Sequence, residues 1–402
     1  MTVKTVQRIL QLPFAFLPDD GERVPLSPLH VAAPQVALIV IVALRLPYYV
    51  KVAATIPVMT TVVYVATHTT IGTPSEHYGF GSAFLSLLFF NASLFVWFTD
   101  PMSEYRYVRD ANTAPLGARG LFSRVYNVLC ITLNYRLIGW NTQVSNVPTP
   151  IKDKSAFIFH RLYQLLLTML VLDVAQSHLL ANAPVYTAPD PPRPTLLITW
   201  AFLLCSYSVI KLFYTVASLV AVTLGLSAPE DWPDLFGHWR DAYTLRRLWG
   251  RAWHQLLRRH FSAWGTAAVR TLGVRRGTWL SSQVQLHTAF AVSAAIHTFG
   301  DAMVGRRLVG VSAPFFIANG LAIAVEDAVL ALGRWLCRGE ELKGEEGRPP
   351  PLALRVAGYV WATAAMSVLA GTLFVPAQFA LEMVDKPTLP FSVVGWMVAK
   401  SA

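Results

Sequence analysis

Runs of apolar residues long enough to cross a bilayer alternate with short polar stretches along most of this chain. A hydrocarbon core takes about 20 residues of helix, because backbone groups left unbonded in lipid cost several kcal/mol each. The first strong run is 32–46, interrupted by Arg45, Pro47 and Lys51. The run 52–71 follows so closely that a tight hairpin and one broken span both fit, with Pro57 as a predicted kink. Residues 83–98 are rich in Leu and Phe and stop at Asp100-Pro101. The mixed stretch 121–140 contains Arg124, Asn127, Asn134 and Arg136, and reads as an interfacial or re-entrant helix. Further spans are predicted at 157–174, 195–226, 281–299, 311–335 and 352–374, with a weaker element at 379–400. A proline-rich loop is expected over 184–194 and a charged loop over 338–351. The pattern predicts an all-α fold. It is a polytopic membrane helical bundle of about eight transmembrane helices plus interfacial or re-entrant helices. Residues 1–31 read as an N-terminal interfacial segment, and 32–402 as a single integral-membrane domain. No cleaved signal peptide is expected at the start.

Composition supports that pattern. Apolar residues make up 54% and charged residues 14%, against roughly 25% charged in a soluble domain. Mean hydropathy is +0.44. These values exclude disorder, collagen and a disulfide scaffold, and argue against an ordinary cytosolic enzyme. Cys130, Cys205 and Cys337 lack metal-ligand spacing and read as small buried hydrophobes.

Net charge is +10, from 33 basic and 23 acidic residues, and the excess is local. Residues 240–276 hold nine arginines, no lysine and one acid, Asp241. The segment 228–276 therefore reads as a basic cytosolic-side region obeying the positive-inside rule. A sharper reading adds an anionic, nucleotide-like ligand held by some of the arginines. Nucleic acid is not an expected partner, because the charge lies between hydrophobic spans without a recognised binding motif.

Few residues inside the spans can carry chemistry. His297 lies deep in a predicted helix, within Ser293-Ala294-Ala295-Ile296-His297. Burial favours neutral imidazole, which can take a proton from a hydroxyl. Ser293, one turn back, is placed to bond the imidazole or its own backbone. The alternative is a structural histidine satisfied by a neighbouring helix. His287 lies ten residues earlier on the same helix, about 15 Å along the axis, too far to share a metal with His297. It reads as structural, and no metal site is expected. Over 243–260, Leu245, Leu248, Trp249, Ala252, Trp253 and Leu256 form an apolar stripe, with Arg246, Arg247, Arg251, Arg258 and Arg259 around it. This is the pattern of a helix lying in the interface, with His254 at the edge of the stripe. Glu326 and Asp327 are acids in an apolar run, suited to pair with an arginine, orient a histidine or bind a transported ion. Lys211 faces the bundle or snorkels. A transporter using these charges is a rival reading, weakened by the lack of an evident internal repeat.

Several segments together resemble a known family. They are Asn134-Tyr135-Arg136-Leu137-Ile138-Gly139-Trp140, Asn146-Val147-Pro148, Trp232-Pro233-Asp234-Leu235-Phe236-Gly237, the run from Asp241 to Gln255, and the Ser-x-x-x-His ending at His297. In this order, across roughly residues 95–380, they resemble the fungal wax-synthase-like branch of the membrane-bound O-acyltransferase superfamily. The resemblance implies acyl transfer from an acyl-CoA to a hydroxyl. In fungal biosynthetic members this is often acetyl transfer from acetyl-CoA to a terpenoid or meroterpenoid alcohol. Long-chain esterification of fatty alcohols or sterols is the alternative. The family's intramembrane histidine maps onto His297, and its upstream polar position onto His254, where relatives outside this branch often carry Asn or Asp. Ala294 stands where a glycine is usual. The implied cosubstrate is acetyl-CoA, with no permanently bound cofactor. Arg246, Arg247, Arg251, Arg258, Arg259 and Trp253 are the candidate CoA contacts. The expected partners are acyl-CoA, a hydrophobic small-molecule alcohol and membrane lipids, in the endoplasmic reticulum membrane.

Overall fold

The computed structural model describes residues 14, 17–110, 114–336, 350–384 and 386–401. Cys337 and nearly all of the charged loop expected at 338–351 lie outside the described residues, as do residues 1–13, 15 and 16 of the expected N-terminal segment. The described chain is almost entirely helical: α1 (Pro28–Ala43), α2 (Tyr48–His68), α3 (Pro74–Phe98), α4 (Leu121–Leu133), α5 (Lys154–Tyr186), α6 (Leu196–Thr223), α7 (Arg258–Thr271), α8 (Trp279–Val304), α9 (Ala313–Leu336), α10 (Leu352–Ala380) and α11 (Val393–Ser401). Two residues, Val24–Pro25, pair in parallel with Thr69–Thr70. Among the described residues six helices are long and apolar enough to cross a membrane: α2, α3, α5, α6, α9 with its lead-in from Arg306, and α10. The protein is a polytopic, all-α integral membrane bundle.

Local chemistry sets the helix ends. At the start of α3, Thr73 Oγ1 accepts from Glu76 N–H, Glu76 Oε2 accepts from Thr73 N–H at 2.7 Å, and Pro74 follows the cap. This is a reciprocal capping box with proline where its missing N–H costs nothing. Asp153, Thr195 and Thr278 cap α5, α6 and α8 more simply, each side chain accepting one backbone N–H of the first turn. Between α1 and α2, Arg45 takes a φ of 52°, so the first two runs are a hairpin and not one broken span. Pro57 sits inside α2 without ending it.

Three elements differ from expectation. First, α4 stops at Leu133, because Asn134 closes a tight turn. Its Nδ2 donates to Ile138 O at 3.1 Å and its Oδ1 accepts from Ile138 N–H at 3.0 Å. Gly139 follows at φ 81°, where a Cβ would lie 2.7 Å from the Tyr107 ring. Second, α5 runs through Pro184 to Tyr186, so its 33 residues reach about 50 Å, well beyond a bilayer core. Third, the interfacial helix expected over 243–260 is broken. A single turn, Leu245–Arg247, leads into a wide turn, Leu248–Ala252, and Trp253 is then extended before α7 begins at Arg258. Gln255 makes the break tolerable, since its Nε2 donates to Trp249 O and Trp253 O, carbonyls a continued helix would have satisfied.

Contacts divide the chain into two compact units. The first comprises Met1–Ser145, Leu256–Ile317 and Ala380–Met383, and the second Asn146–Gln255, Ala318–Phe379 and Val384–Ala402. In the first, Leu38, Val62, Leu85, Phe95, Leu116, Ile131 and Met303 belong to one buried apolar core. Helices α3 and α8 touch main chain to main chain there: a Cβ on Gly81 would lie 2.5 Å from Phe299 O. Arg23 closes the end of α8 by donating to Met303 O at 2.6 Å and Ala302 O at 3.0 Å, opposite the helix dipole. In the second unit, Arg161 of α5 is buried and donates to Asp234 Oδ1 at 2.6 Å and to Trp232 O. Its guanidinium also lies over the Phe157 and Tyr214 rings.

Candidate active site

His297 lies on α8 in the first unit, half-buried between two aromatic rings. Phe316 stacks on the imidazole with centroids 4.1 Å apart and planes 16° apart. Tyr78 Oη is 2.7 Å from His297 Nδ1. Ser293 does not take that place, although it sits one turn back. The phenol belongs to α3, and it reaches α8 because Gly300 leaves room: a Cβ there would lie 2.8 Å from the Tyr78 ring. Tyr78 Oη is also 3.5 Å from Ser312 Oγ. Ser312 in turn donates from Oγ to Asp301 Oδ1 at 2.7 Å and from its backbone N–H to Asp301 Oδ2 at 3.0 Å. Asp301 and Ser312 are fully buried.

Two other histidines of this unit are structural. His77 Nε2 accepts from Ile71 N–H at 2.9 Å, and Nδ1 therefore carries the proton towards Thr73 O. His260 Nε2 lies 2.9 Å from Asn91 Oδ1. Burial, with Arg259 beside it, pushes the pKa of His260 down to about 3 and keeps it neutral. His287 is exposed on α8.

His254 lies in the second unit, on the irregular stretch after the wide turn. Phe236 sits 6.0 Å from its ring and 5.3 Å from that of Trp253, while Trp249 lies 5.7 Å from Trp253. The Trp232–Gly237 motif builds this cluster. Asp234 is held by Arg161, Tyr214 Oη donates to Pro233 O at 2.6 Å, and Gly237 N–H donates to Ala252 O at 3.0 Å. A side chain at Gly237 would strike Arg251 O, 2.1 Å from the Cβ position. Trp249 Nε1 donates to the buried Asn319 Oδ1 at 3.0 Å, and Asn146 Nδ2 to Gly250 O at 3.4 Å. Outside the spans, burial raises the pKa of Asp234. Arg161, Gln164 and His160 outweigh that and hold it below the ordinary carboxylate range.

The acids Glu326 and Asp327 are engaged in structure. Glu326 accepts from the backbone N–H groups of Leu245 at 2.7 Å and Arg246 at 3.0 Å, and from Trp361 Nε1 at 2.9 Å. Asp327 takes both Nε and Nη2 of Arg246, a bidentate pair. Arg247 pairs with Asp241, and Lys211 lies against Tyr207. Among the candidate cofactor residues, Arg246, Arg247, Arg251 and Trp253 belong to the second unit, and Arg251 is exposed. Arg258 and Arg259 open α7 in the first, where Arg259 donates to Tyr105 Oη and lies over the Phe95 ring. Cys130 and Cys205 are free thiols of intermediate exposure, less enclosed than expected.

Sequence reasoning singled out both histidines and missed Tyr78, Asp301, Ser312 and Phe316. Asp301 alone left a signal, since it lies one turn beyond His297 on the same helical face.

A family model described as membrane bound O-acyl transferase family matches residues 232–318, the segment that holds both His254 and His297. The chain is 30% identical over 282 residues to the acetyltransferase ple2 of Rhodocybe pseudopiperita, covering 67% of this chain and 72% of that protein. It is 29% identical over 272 residues to the acetyltransferase sirH of Leptosphaeria maculans, covering 61% and 63%. It is 28% identical over 352 residues to the acetyltransferase eriL of Hericium erinaceus, covering 84% and 87%. No solved structure matches the chain significantly. A helical histidine cradled by two aromatic rings, inside the matched segment of a helical membrane bundle, accompanies these likenesses, and the chain belongs to the membrane-bound O-acyl transferase family.

Proposed function

We propose that this protein transfers an acetyl group from acetyl-CoA to a hydroxyl of a hydrophobic terpenoid or meroterpenoid intermediate, with His297 as the general base. The carrying observation is the place of His297: half-buried, stacked on Phe316, its Nδ1 engaged by Tyr78, within the segment that matches the family. In this reading Nε2 takes the proton of the acceptor hydroxyl as its oxygen attacks the thioester carbonyl. The tetrahedral intermediate collapses, the C–S bond breaks, and the proton passes from the imidazolium to the departing thiolate. The products are the acetate ester and free CoA. The protein then needs no covalent nucleophile. His254 keeps the role that the resemblance implies, as a donor to the developing oxyanion. The exposed Arg251, with Arg246, Arg247, Arg258, Arg259 and Trp253, is assigned to CoA recognition on the cytosolic side of the endoplasmic reticulum. Within the family we place the chain in the wax-synthase-like branch, with residues 32–402 as the acyltransferase domain. Our topology has eight spans, the six long helices together with α1 and α8.

The test is a product assay on membranes containing the full chain. Acetyl-CoA and palmitoyl-CoA compete as donors, and farnesol, geranylgeraniol and ergosterol serve as acceptors, with esters read by mass spectrometry. Acetate esters and alcohol-dependent thiol release are expected. Palmitate esters instead would select the long-chain alternative, and no ester from any acceptor would remove the substrate class proposed. His297→Ala should lower turnover at least about 100-fold at saturating donor, the low end of what a general base contributes. Near-normal turnover in a folded His297→Ala protein would refute the mechanism.

A further inference from the structure

We propose that Tyr78, Ser312 and Asp301 form a hydrogen-bond relay that fixes the tautomer and orientation of His297, with Tyr78 as its positioning residue. The inference rests on the reading of His297 as the base. A base at Nε2 needs its proton on Nδ1. Tyr78 Oη, 2.7 Å from Nδ1, accepts that N–H. The phenol then turns its own hydrogen to Ser312 Oγ, 3.5 Å away. Ser312 donates to Asp301 Oδ1 at 2.7 Å. Along this series each hydroxyl accepts from one neighbour and donates to the next, and the series ends on the Asp301 carboxyl. In this direction both carboxyl oxygens of Asp301 accept, one from the Ser312 hydroxyl and one from the Ser312 backbone N–H. So directed, the relay turns the acceptor oxygen of Tyr78 towards Nδ1 of the imidazolium that forms in the transition state. It does over two hydroxyls what a directly bonded carboxylate does in a hydrolase triad.

The packing holds this arrangement and no obvious substitute. Gly300 admits the Tyr78 ring, and Gly81 lets α3 lie against α8. Phe316 covers one face of the imidazole and limits its rotation. Tyr78, Ser312 and Asp301 are all buried, so water does not readily replace a missing link.

Tyr78→Phe removes one oxygen and keeps the ring. With acetyl-CoA and geranylgeraniol, kcat should fall between tenfold and a hundredfold while KM for acetyl-CoA changes less than about twofold. Asp301→Asn should show a similar split. The double variant should be no worse than the weaker single one, because the groups act as a unit. A readout that needs no acceptor is carbethoxylation of His297 by diethyl pyrocarbonate, followed by peptide mass in the detergent-solubilised full chain. Loss of the relay makes Nε2 less nucleophilic, so Tyr78→Phe should slow modification at least threefold. A purely packing role predicts an unchanged or faster rate as the site loosens, and either result overturns the proposal. Additive losses in the double variant would overturn it as well. If His297→Ala keeps full activity, it is the assignment of the base that fails.

Discussion

The Arg161 guanidinium is almost completely enclosed, and Asp234 is the anion that holds it there. Removing one partner of a buried pair strands the other. Asp234→Ala should cost about 3 kcal/mol, the low end of that range, because Asp234 itself is only half-buried. Its folded pKa lies below the ordinary value. The stability it contributes is therefore present above the unfolded pKa of about 3.9 and is lost as pH falls through the folded value. Thermal unfolding in detergent between pH 3 and 7 should show a loss at the acid end that is smaller in Asp234→Asn. Equal acid slopes would disprove the linkage. At this scale the sequence was partly legible. His297 stood out as an imidazole in an apolar run. Tyr78 left no local sign, since its partner is 219 positions away. Asp301 lies two residues past the point where the apolar run stops at 299, outside the predicted span, although α8 continues to Val304.

Helices were legible wherever hydrophobicity decided them, and less so where a side chain bonded to the backbone did. The paired runs at 32–46 and 52–71 became α1 and α2, while the end of α4 depended on Asn134 and the break after Ala252 on Gln255. The stripe at 243–260 has helical spacing, but spacing alone does not report a carbonyl accepting a side-chain amide. The same break sets the conformation of Trp253-His254, and Gly237 lies against it. Gly237→Ala would have to move the Arg251 carbonyl, only 2.1 Å from the new carbon. The expected result is a loss of more than tenfold in acetyl transfer, together with a lower melting temperature. Wild-type turnover with an unchanged melting temperature would show that this approach does not hold the His254 segment.

For the molecule as a whole, composition announced a membrane protein, and six helices of sufficient length and apolarity bear that out. The span count was harder to read, because α8 carries polar residues and α1 is short. Sidedness is set by charge: Arg275 and Arg276 are exposed just before α8, in the segment expected to face the cytosol. In a background with the three cysteines replaced by serine, Arg276→Cys should react with a membrane-impermeant maleimide in intact microsomes. Labelling only after detergent would invert the topology. The contact of Gly81 with α8, and of Gly300 with Tyr78, has a consequence for redesign. At Gly81 an added methyl group would meet the Phe299 carbonyl, which no rotamer can move, and at Gly300 it would displace the ring whose hydroxyl engages the imidazole. Campaigns to broaden the alcohols accepted should hold those two glycines constant and place their diversity elsewhere.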